Sequence, residues 1–324
     1  MGTHPCWSQT FTDLPSKTII LSEKEISLKN LADSFREQTG LTLDLGKQNP
    51  DRRITLDWQK KPFWEALDSI AKQTRCRVEL TGSGVALVES DSENISVIRG
   101  PFRLSPSTIN IRRNLATQQS TGNLTMELAW EPSLLVFRSD SIFRASEAKT
   151  DSGTPVRTDS SATRYLVEGR TAQLNLNFSQ VARAAQSISF KGEVHLTISR
   201  NWIVHQLNPS NGKLLTPQDA NVMLTIKKWS KTGNDLTVDI AYEYPKDVVW
   251  ESFENPFERN TLELISPSGK VITPSRSESQ QNETRYIFKG TVGELGADWK
   301  VQYRLPRAFE EIKIPFEFRN IPLP

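Results

Sequence analysis

Leu31-Ala-Asp-Ser-Phe-Arg-Glu-Gln-Thr-Gly-Leu-Thr-Leu-Asp-Leu45 and Ala66-Leu-Asp-Ser-Ile-Ala-Lys-Gln-Thr-Arg-Cys-Arg-Val-Glu-Leu80 are one unit written twice, at an offset of 35 positions. Asp33/Asp68, Ser34/Ser69, Gln38/Gln73 and Thr39/Thr74 are identical across the two copies. Phe35/Ile70, Leu43/Val78 and Leu45/Leu80 keep their apolar character. In the first copy Leu28, Leu31, Ala32 and Phe35 fall on one stripe of a 3.6-residue period, with Ser27 placed to cap the start and Gly40 to allow a left-handed end. Phe63, Ala66, Leu67 and Ile70 repeat the stripe, and Pro62 suits a first turn that has no hydrogen bond to lose. Alternating or apolar runs at 18–21, 41–45, 53–58, 76–80 and 85–88 read as strands, the last two joined through Thr81-Gly-Ser-Gly84. The expectation is a β-α-β unit repeated, closed by a hairpin strand.

These residues carry a resemblance. Ser27-Leu28 with Leu31, Phe35 and Thr39-Gly40-Leu41, then Arg53-Ile54-Thr55-Leu56, Pro62-Phe63-Trp64-Glu65-Ala66-Leu67 with Ile70, and Val85-Ala86-Leu87-Val88 are similar to the short N-terminal domain shared by secretins and TonB-dependent transporters. It covers about a fifth of the chain. No pore-forming secretin region or membrane barrel fits the remaining residues, so the resemblance implies a relative that has taken the domain into the periplasm or cell envelope as an interaction module. The ending Ile314-Pro-Phe-Glu-Phe-Arg-Asn-Ile-Pro-Leu-Pro324 resembles that of planctomycete-type exported proteins built from paired β modules, which implies export and no particular activity.

With 324 residues the chain is long enough for two or three domains. Its 40 Lys and Arg against 38 Asp and Glu leave a net charge of +2, which supplies no global attraction for nucleic acid or an anionic membrane. No apolar run approaches the roughly 18 residues of a spanning helix. Of the two cysteines, Cys76 stands at the repeat position of Leu41 and reads as a small buried residue. Cys6 lies in Met1-Gly-Thr-His-Pro-Cys-Trp7, which lacks the charged start and apolar centre of an export signal. Either the true start lies upstream or the protein stays in the cytoplasm; the resemblance favours the first.

Residues 1–16 read as a loose leader and 17–92 as the repeat domain. After the polar linker Glu89-Ser-Asp-Ser-Glu-Asn94 helical stripes vanish and short period-two runs take over. A β-sandwich domain is expected over 96–208 and a second over 218–324, separated by Asn208-Pro-Ser-Asn-Gly-Lys213. Turn residues predict hairpins at Thr232-Gly-Asn-Asp235 and Ser266-Pro-Ser-Gly269. Pro315 inside the last strand predicts an edge or bulge there. The fold class expected is therefore α+β: a small two-helix repeat domain followed by two all-β, sandwich-like domains.

No motif for chemistry emerges. His195 and His205, unlike His4 in the leader, fall on strands, but neither has Cys, Asp or Glu at metal-ligand spacing, and they read as ordinary β-domain histidines. Gly82-Ser-Gly84 and Ser268-Gly-Lys270 read as turns, since the nucleophile elbow and the phosphate loop both need residues missing here. No cofactor or metal is expected. Lys227-Lys-Trp-Ser-Lys231 reads as an edge strand that discourages sheet pairing. Sequons occur at Asn94, Asn123, Asn177 and Asn282.

Two function classes remain. The first is a non-catalytic exported interaction or scaffold protein, its partner another envelope protein, with Arg36, Glu37 and Lys72 on the helix faces and Trp250, Phe253 and Phe257 in an aromatic, acidic loop as partner-binding residues. That loop also suits a glycan or a peptide, and no nucleic acid is expected. The second is an enzyme using acids such as Asp239 and Glu243 between the β domains. Geometry separates them: an enzyme needs such groups converging in a deep cleft.

Overall fold

The computed structural model describes residues 14–324 apart from 22, 57, 82–83, 91–94, 118, 160, 168, 216–222, 244–259, 281, 291–294 and 297. Among the described residues strand makes up 59% and helix 9%, the helix lying in two segments of 12 residues. The protein is thus mostly β with many small sheets, and the α+β expectation is corrected. The apolar stripes that signalled helix are strong but stop after three turns, and even the repeat spends much of its backbone on strands.

The first copy of the repeat comprises β1 (Thr18–Ile19), β2 (Glu25–Ser27), α1 (Leu28–Thr39) and β3 (Thr42–Asp44). The second comprises β4 (Arg53–Thr55), β5 (Lys61–Pro62), α2 (Phe63–Thr74) and β6 (Cys76–Leu80), and β7 (Gly84–Glu89) follows. Each copy lends its first strand to the other. β1 pairs with β5 in the register Thr18↔Pro62, and β4 pairs with β2 in the register Arg53↔Ser27, the same pairing moved by one repeat. Helix starts are tied the same way: Phe63 N–H donates to Lys17 O (2.8 Å) and Leu28 N–H to Arg52 O (3.0 Å).

Two of the four residue pairs identical between the copies, Gln38/Gln73 and Thr39/Thr74, make equivalent hydrogen bonds, whereas Ser34/Ser69 and Asp33/Asp68 do not. Gln38 accepts from Ile20 N–H (2.9 Å) and donates to Ile20 O (2.8 Å), while Gln73 accepts from Thr55 N–H (3.3 Å) and donates to Thr55 O (2.7 Å). Each amide thereby extends a two-residue or three-residue strand onto a helix. Thr39 and Thr74 donate to the carbonyls of Phe35 and Ile70 four residues back. Both helices end in a left-handed residue, Gly40 at φ 75° and Arg75 at φ 55°, whose N–H bonds Arg36 O and Ala71 O respectively. β7 completes the module, parallel to β3 and antiparallel to β6. Gly84 is required there, because a Cβ would lie 2.1 Å from Thr42 O. Phe35 and Ile70 are both fully buried, in a core shared with Phe63, Trp64 and Leu67.

Contact density divides the chain into two compact units, Met1–Ile198 with Glu311–Pro324, and Ser199–Glu310. In the first unit, β8 (Val97–Arg99), β9 (Phe102–Arg113), β10 (Ser120–Trp130), β13 (Arg157–Thr158) and β15 (Thr171–Ser179) form a sheet in the order β13-β15-β10-β9-β8. Opposite it lie β11 (Leu135–Asp140), β12 (Arg144–Thr150), β14 (Arg164–Leu166) and parts of β16 (Ser187–Leu207) and β23 (Lys300–Pro322); β12 and β11 both pair with β16. Leu124, Met126, Leu174 and Leu176 from the first sheet share one core with Phe190, Leu196, Ile314 and Phe316 from the second. Pro315 lies on a stretch of β23 beyond Lys300–Arg304, the residues that pair with the neighbouring hairpin, so it costs no ladder bond on that side.

In the second unit, β17 (Met223–Thr232), β18 (Asp235–Glu243), β21 (Arg276–Gln280) and β22 (Glu283–Phe288) are ordered β17-β18-β22-β21, while β19 (Thr261–Ile265) and β20 (Val271–Ile272) form a hairpin beside Lys300–Arg304. Both expected hairpins form, with Gly233 at φ 60° and Gly269 at φ 82° in the turns. Lys227, Lys228 and Lys231 lie on β17, an edge strand, as expected of lysines that discourage further pairing.

Two outcomes follow in urea melts. Phe35→Ala should cost about 3–5 kcal/mol, as expected for emptying a fully buried aromatic site. Gln38→Ala and Gln73→Ala should each cost about 1–2 kcal/mol and should match one another. A large loss from one and none from the other would contradict the equivalence of the two copies.

Candidate functional site

The helix residues expected to meet a partner are exposed: Arg36 and Glu37 on α1, Lys72 on α2. Glu37 and Lys72 occupy equivalent positions of the repeat, and no ion pair joins them among the described residues. Trp250, Phe253 and Phe257 lie outside the described residues. Of the two acids considered for catalysis, Asp239 is clamped by the cross-strand Arg285 through two bonds of 2.8 and 3.1 Å, which hold its carboxyl below the usual range. Glu243 is exposed at the end of β18. Asp239 borders a groove of about 320 Å³ with Glu278, Glu283 and Arg285, and Glu243 is not among its lining residues.

The two equivalent helices differ in how far they are covered. α2 buries Phe63, Trp64, Ala66, Leu67, Ile70, Ala71 and Thr74, whereas α1 buries only Leu28, Leu31, Phe35 and Thr39. The extra cover on α2 is the five-stranded sheet of the same unit. Trp64 Nε1–H donates to Pro101 O (2.9 Å), and the Arg103 guanidinium stacks 5.9 Å from the Trp64 ring centroid. Arg103, 4% exposed, also pairs with Asp68 at 3.2 Å and donates to Val78 O at 3.4 Å. Burial raises the Asp68 carboxyl and lowers the Arg103 guanidinium from their ordinary pKa values, and each is pulled back by the charge of the other. Nearby Glu131, fully buried, accepts from Ser16 Oγ and from Lys17 N–H (2.6 Å); burial raises its pKa against both bonds.

A second cluster of ionisable groups lies between strands of the other sheet in the first unit. Asp140, 1% exposed, faces Arg164 across the β11–β14 register and contacts it at 3.5 Å; Arg144 binds its Oδ2 at 3.1 and 3.2 Å. His195 stands 4.0 Å from Asp140 through Nδ1 and 2.6 Å from Glu193 through Nε2. His195 lies on a strand, and positions 193 and 195 share one face of β16, so the two-residue spacing brings Glu193 beside the imidazole. The bond to His195 holds the Glu193 carboxyl below its usual range. Lys313 approaches Glu193 at 3.6 Å and Glu311 binds Arg164 at 2.5 Å. Desolvation of Arg164 is outweighed by its bond to Glu311 and the Asp140 charge, which raise its pKa.

Both ring nitrogens of His195 thus face carboxylates, and each charged neighbour already has an opposite charge beside it. The cavity that these residues line is about 70 Å³, room for water, whereas ligand pockets run to roughly 300–1,000 Å³. Its chemistry is that of a charge network tying β11, β14, β16 and β23 together. The Glu193–His195 alternation was readable in the sequence. Asp140, Arg164 and Glu311 come from separate strands, and no local pattern links them.

Arg103→Ala should destabilise the protein by about 3 kcal/mol or more in denaturant melts, because it strands a partly buried Asp68 and unpacks Trp64. For Asp239 the folded pKa is depressed, so its pairing stabilises above the unfolded value near ~3.9 and that stability is lost as pH falls through the folded value. The Tm of the unmodified chain should therefore exceed that of Asp239→Asn at neutral pH, and the gap should close on acidification below about pH 4. A gap independent of pH would contradict the ion pair.

Compared with family models, with curated proteins and with solved structures, the chain matches none.

Proposed function

We propose that the protein is a non-catalytic interaction or scaffold protein of the periplasm or cell envelope, meeting a partner protein through the wet face of α1. The observation that carries this reading is the asymmetry of the repeat. Of two helices built to the same pattern, α2 is buried on several sides and α1 leaves Lys29, Asn30, Asp33, Arg36 and Glu37 exposed on one module. The module is seated on its sheet through Trp64, Arg103 and Glu131, so α1 is presented from a fixed base rather than from a tethered domain.

Further support comes from the paired βαβ copies, which accord with the resemblance to the short N-terminal domain of secretins and TonB-dependent transporters; the envelope location rests on that resemblance. The histidine–carboxylate cluster supports a structural role better than a catalytic one, since its groups neutralise one another around a cavity too small for a substrate. Lys72, on the more covered helix, contributes to the edge of the surface rather than its centre.

The test is photo-crosslinking of the full chain in an envelope extract, with the reactive group at Asp33 and, separately, at an exposed residue of the second unit such as Lys270. A protein partner should crosslink from position 33 and be lost in the Arg36→Glu, Glu37→Arg variant, whose melting curve should stay unchanged. Partners captured equally from position 270, or retained by the charge-reversed variant, would remove α1 from the function.

A further inference from the structure

The outer face of the five-stranded sheet carries a polar ladder in a groove of about 900 Å³, a volume that exceeds the cavity at Asp140 more than tenfold. Strand register sets its rows. Arg157, Ser179, Thr121 and Arg112 are successive cross-strand neighbours over β13, β15, β10 and β9, so their side chains share one face. The next row is Asn177, Asn123 and Asn110, and the third Asn175, Thr125 and Thr108. On the opposite face of the same strands Leu124, Leu176 and Met126 fill the core.

The ladder is ordered by its own bonds. Asn123 Nδ2–H donates to Asn177 Oδ1 (3.0 Å), and Thr125 Oγ1 lies 3.0 Å from Asn175 Oδ1 and 3.2 Å from Asn123 Oδ1. These contacts fix the amide orientations while leaving each amide further donor and acceptor capacity. Arg112 and Arg157, at the two ends of the first row, are exposed and form no ion pair among the described residues. Three strand spacings separate them, roughly 14 Å. Asp159, at the groove's margin, accepts from Ser161 N–H (3.1 Å) and Ser161 Oγ (3.2 Å) in a local turn.

Such a surface selects its ligand by chemistry. Vicinal hydroxyls both donate and accept, as do the Asn, Ser and Thr side chains of the ladder, and the guanidinium fork matches a carboxylate. Among the described residues stacking is missing: Phe178, the one aromatic of the groove's described lining, is 3% exposed, its ring packed where a Cβ on Gly122 would stand 2.3 Å away. Nucleic-acid bases would find no platform there. We propose that this face binds an extended acidic polysaccharide, with sugar carboxylates on Arg112 and Arg157 and hydroxyls along the asparagine and threonine rows between them. The site is separate from the α1 surface and does not depend on it.

The experiment is calorimetric titration of the full chain with a polygalacturonate oligosaccharide, its methyl ester, and a single-stranded oligodeoxynucleotide of equal charge. The polygalacturonate should bind, more weakly as salt rises. Esterification, or the double change Arg112→Ala with Arg157→Ala, should weaken it by about tenfold or more. Asn123→Ala should weaken the acid and ester forms alike. Because Arg112 and Arg157 are exposed, the melting curve of the double variant should overlay that of the parent, and the Asn123→Ala titration is run well below that variant's own Tm, which keeps folding out of the readout. No binding of polygalacturonate, equal binding by the double variant, or equal binding of the oligodeoxynucleotide would overturn the proposal.

Discussion

The exchange of first strands between the two copies of the repeat is the constraint on which the N-terminal module depends. Neither copy can satisfy its own backbone: β1 finds its ladder on β5, and β4 finds its ladder on β2. Strands of two and three residues would be marginal by themselves. They persist because the Gln38 and Gln73 amides extend each onto a helix, and because Ile19, Ile26, Ile54 and Phe63 place their side chains in one core. β7 then lies between the two repeat-equivalent strands β3 and β6, and joins what the exchange has already interlocked.

Seating this module breaks its internal equivalence. Asp33 and Asp68 are the same residue of the repeat, yet only Asp68 meets Arg103, and only α2 carries a tryptophan bonded to the following sheet. Ala129 and Ile98 of that sheet join the module's core. A buried ion pair is a poor source of net stability, since desolvation offsets much of the attraction. Its effect here is positional: a guanidinium held by a ring face, a carboxylate and a carbonyl admits few arrangements, so the exposed side of α1 is fixed relative to the groove on the same unit. The Asp140 network does comparable work across the other sheet, where four strands distant in sequence are joined by opposite charges.

The repeat was legible in part because Gln38/Gln73 and Thr39/Thr74 make backbone bonds at equivalent points, which selects for side-chain chemistry as well as polarity. Hairpins at Thr232–Asp235 and Ser266–Gly269 were legible because a positive φ calls for glycine at a defined place. The balance of helix and strand was misjudged: two short amphipathic stripes stand out by their periodicity, but the strands outweigh them in extent. The charge network and the polar ladder were missed for a common reason. Both are properties of register, and Asn123 beside Asn177, or Asp140 beside Arg164, follows from how strands align rather than from any local run. The sequons at Asn123 and Asn177 put Thr125 and Ser179 two residues on, and hence on the same face; the sequence held that much of the ladder without its cross-strand half.

The central claim is that the two βαβ copies open as one unit, because each holds the other's strand. Native-state hydrogen exchange at the Leu28 and Phe63 amides tests it most directly, since these bond Arg52 O and Lys17 O at equivalent points of the exchange. The account predicts that both amides open with the same free energy, and that Ile19→Ala, in β1, lowers protection at Leu28 as much as at Phe63. Protection at Leu28 that survives while Phe63 exchanges freely would contradict it.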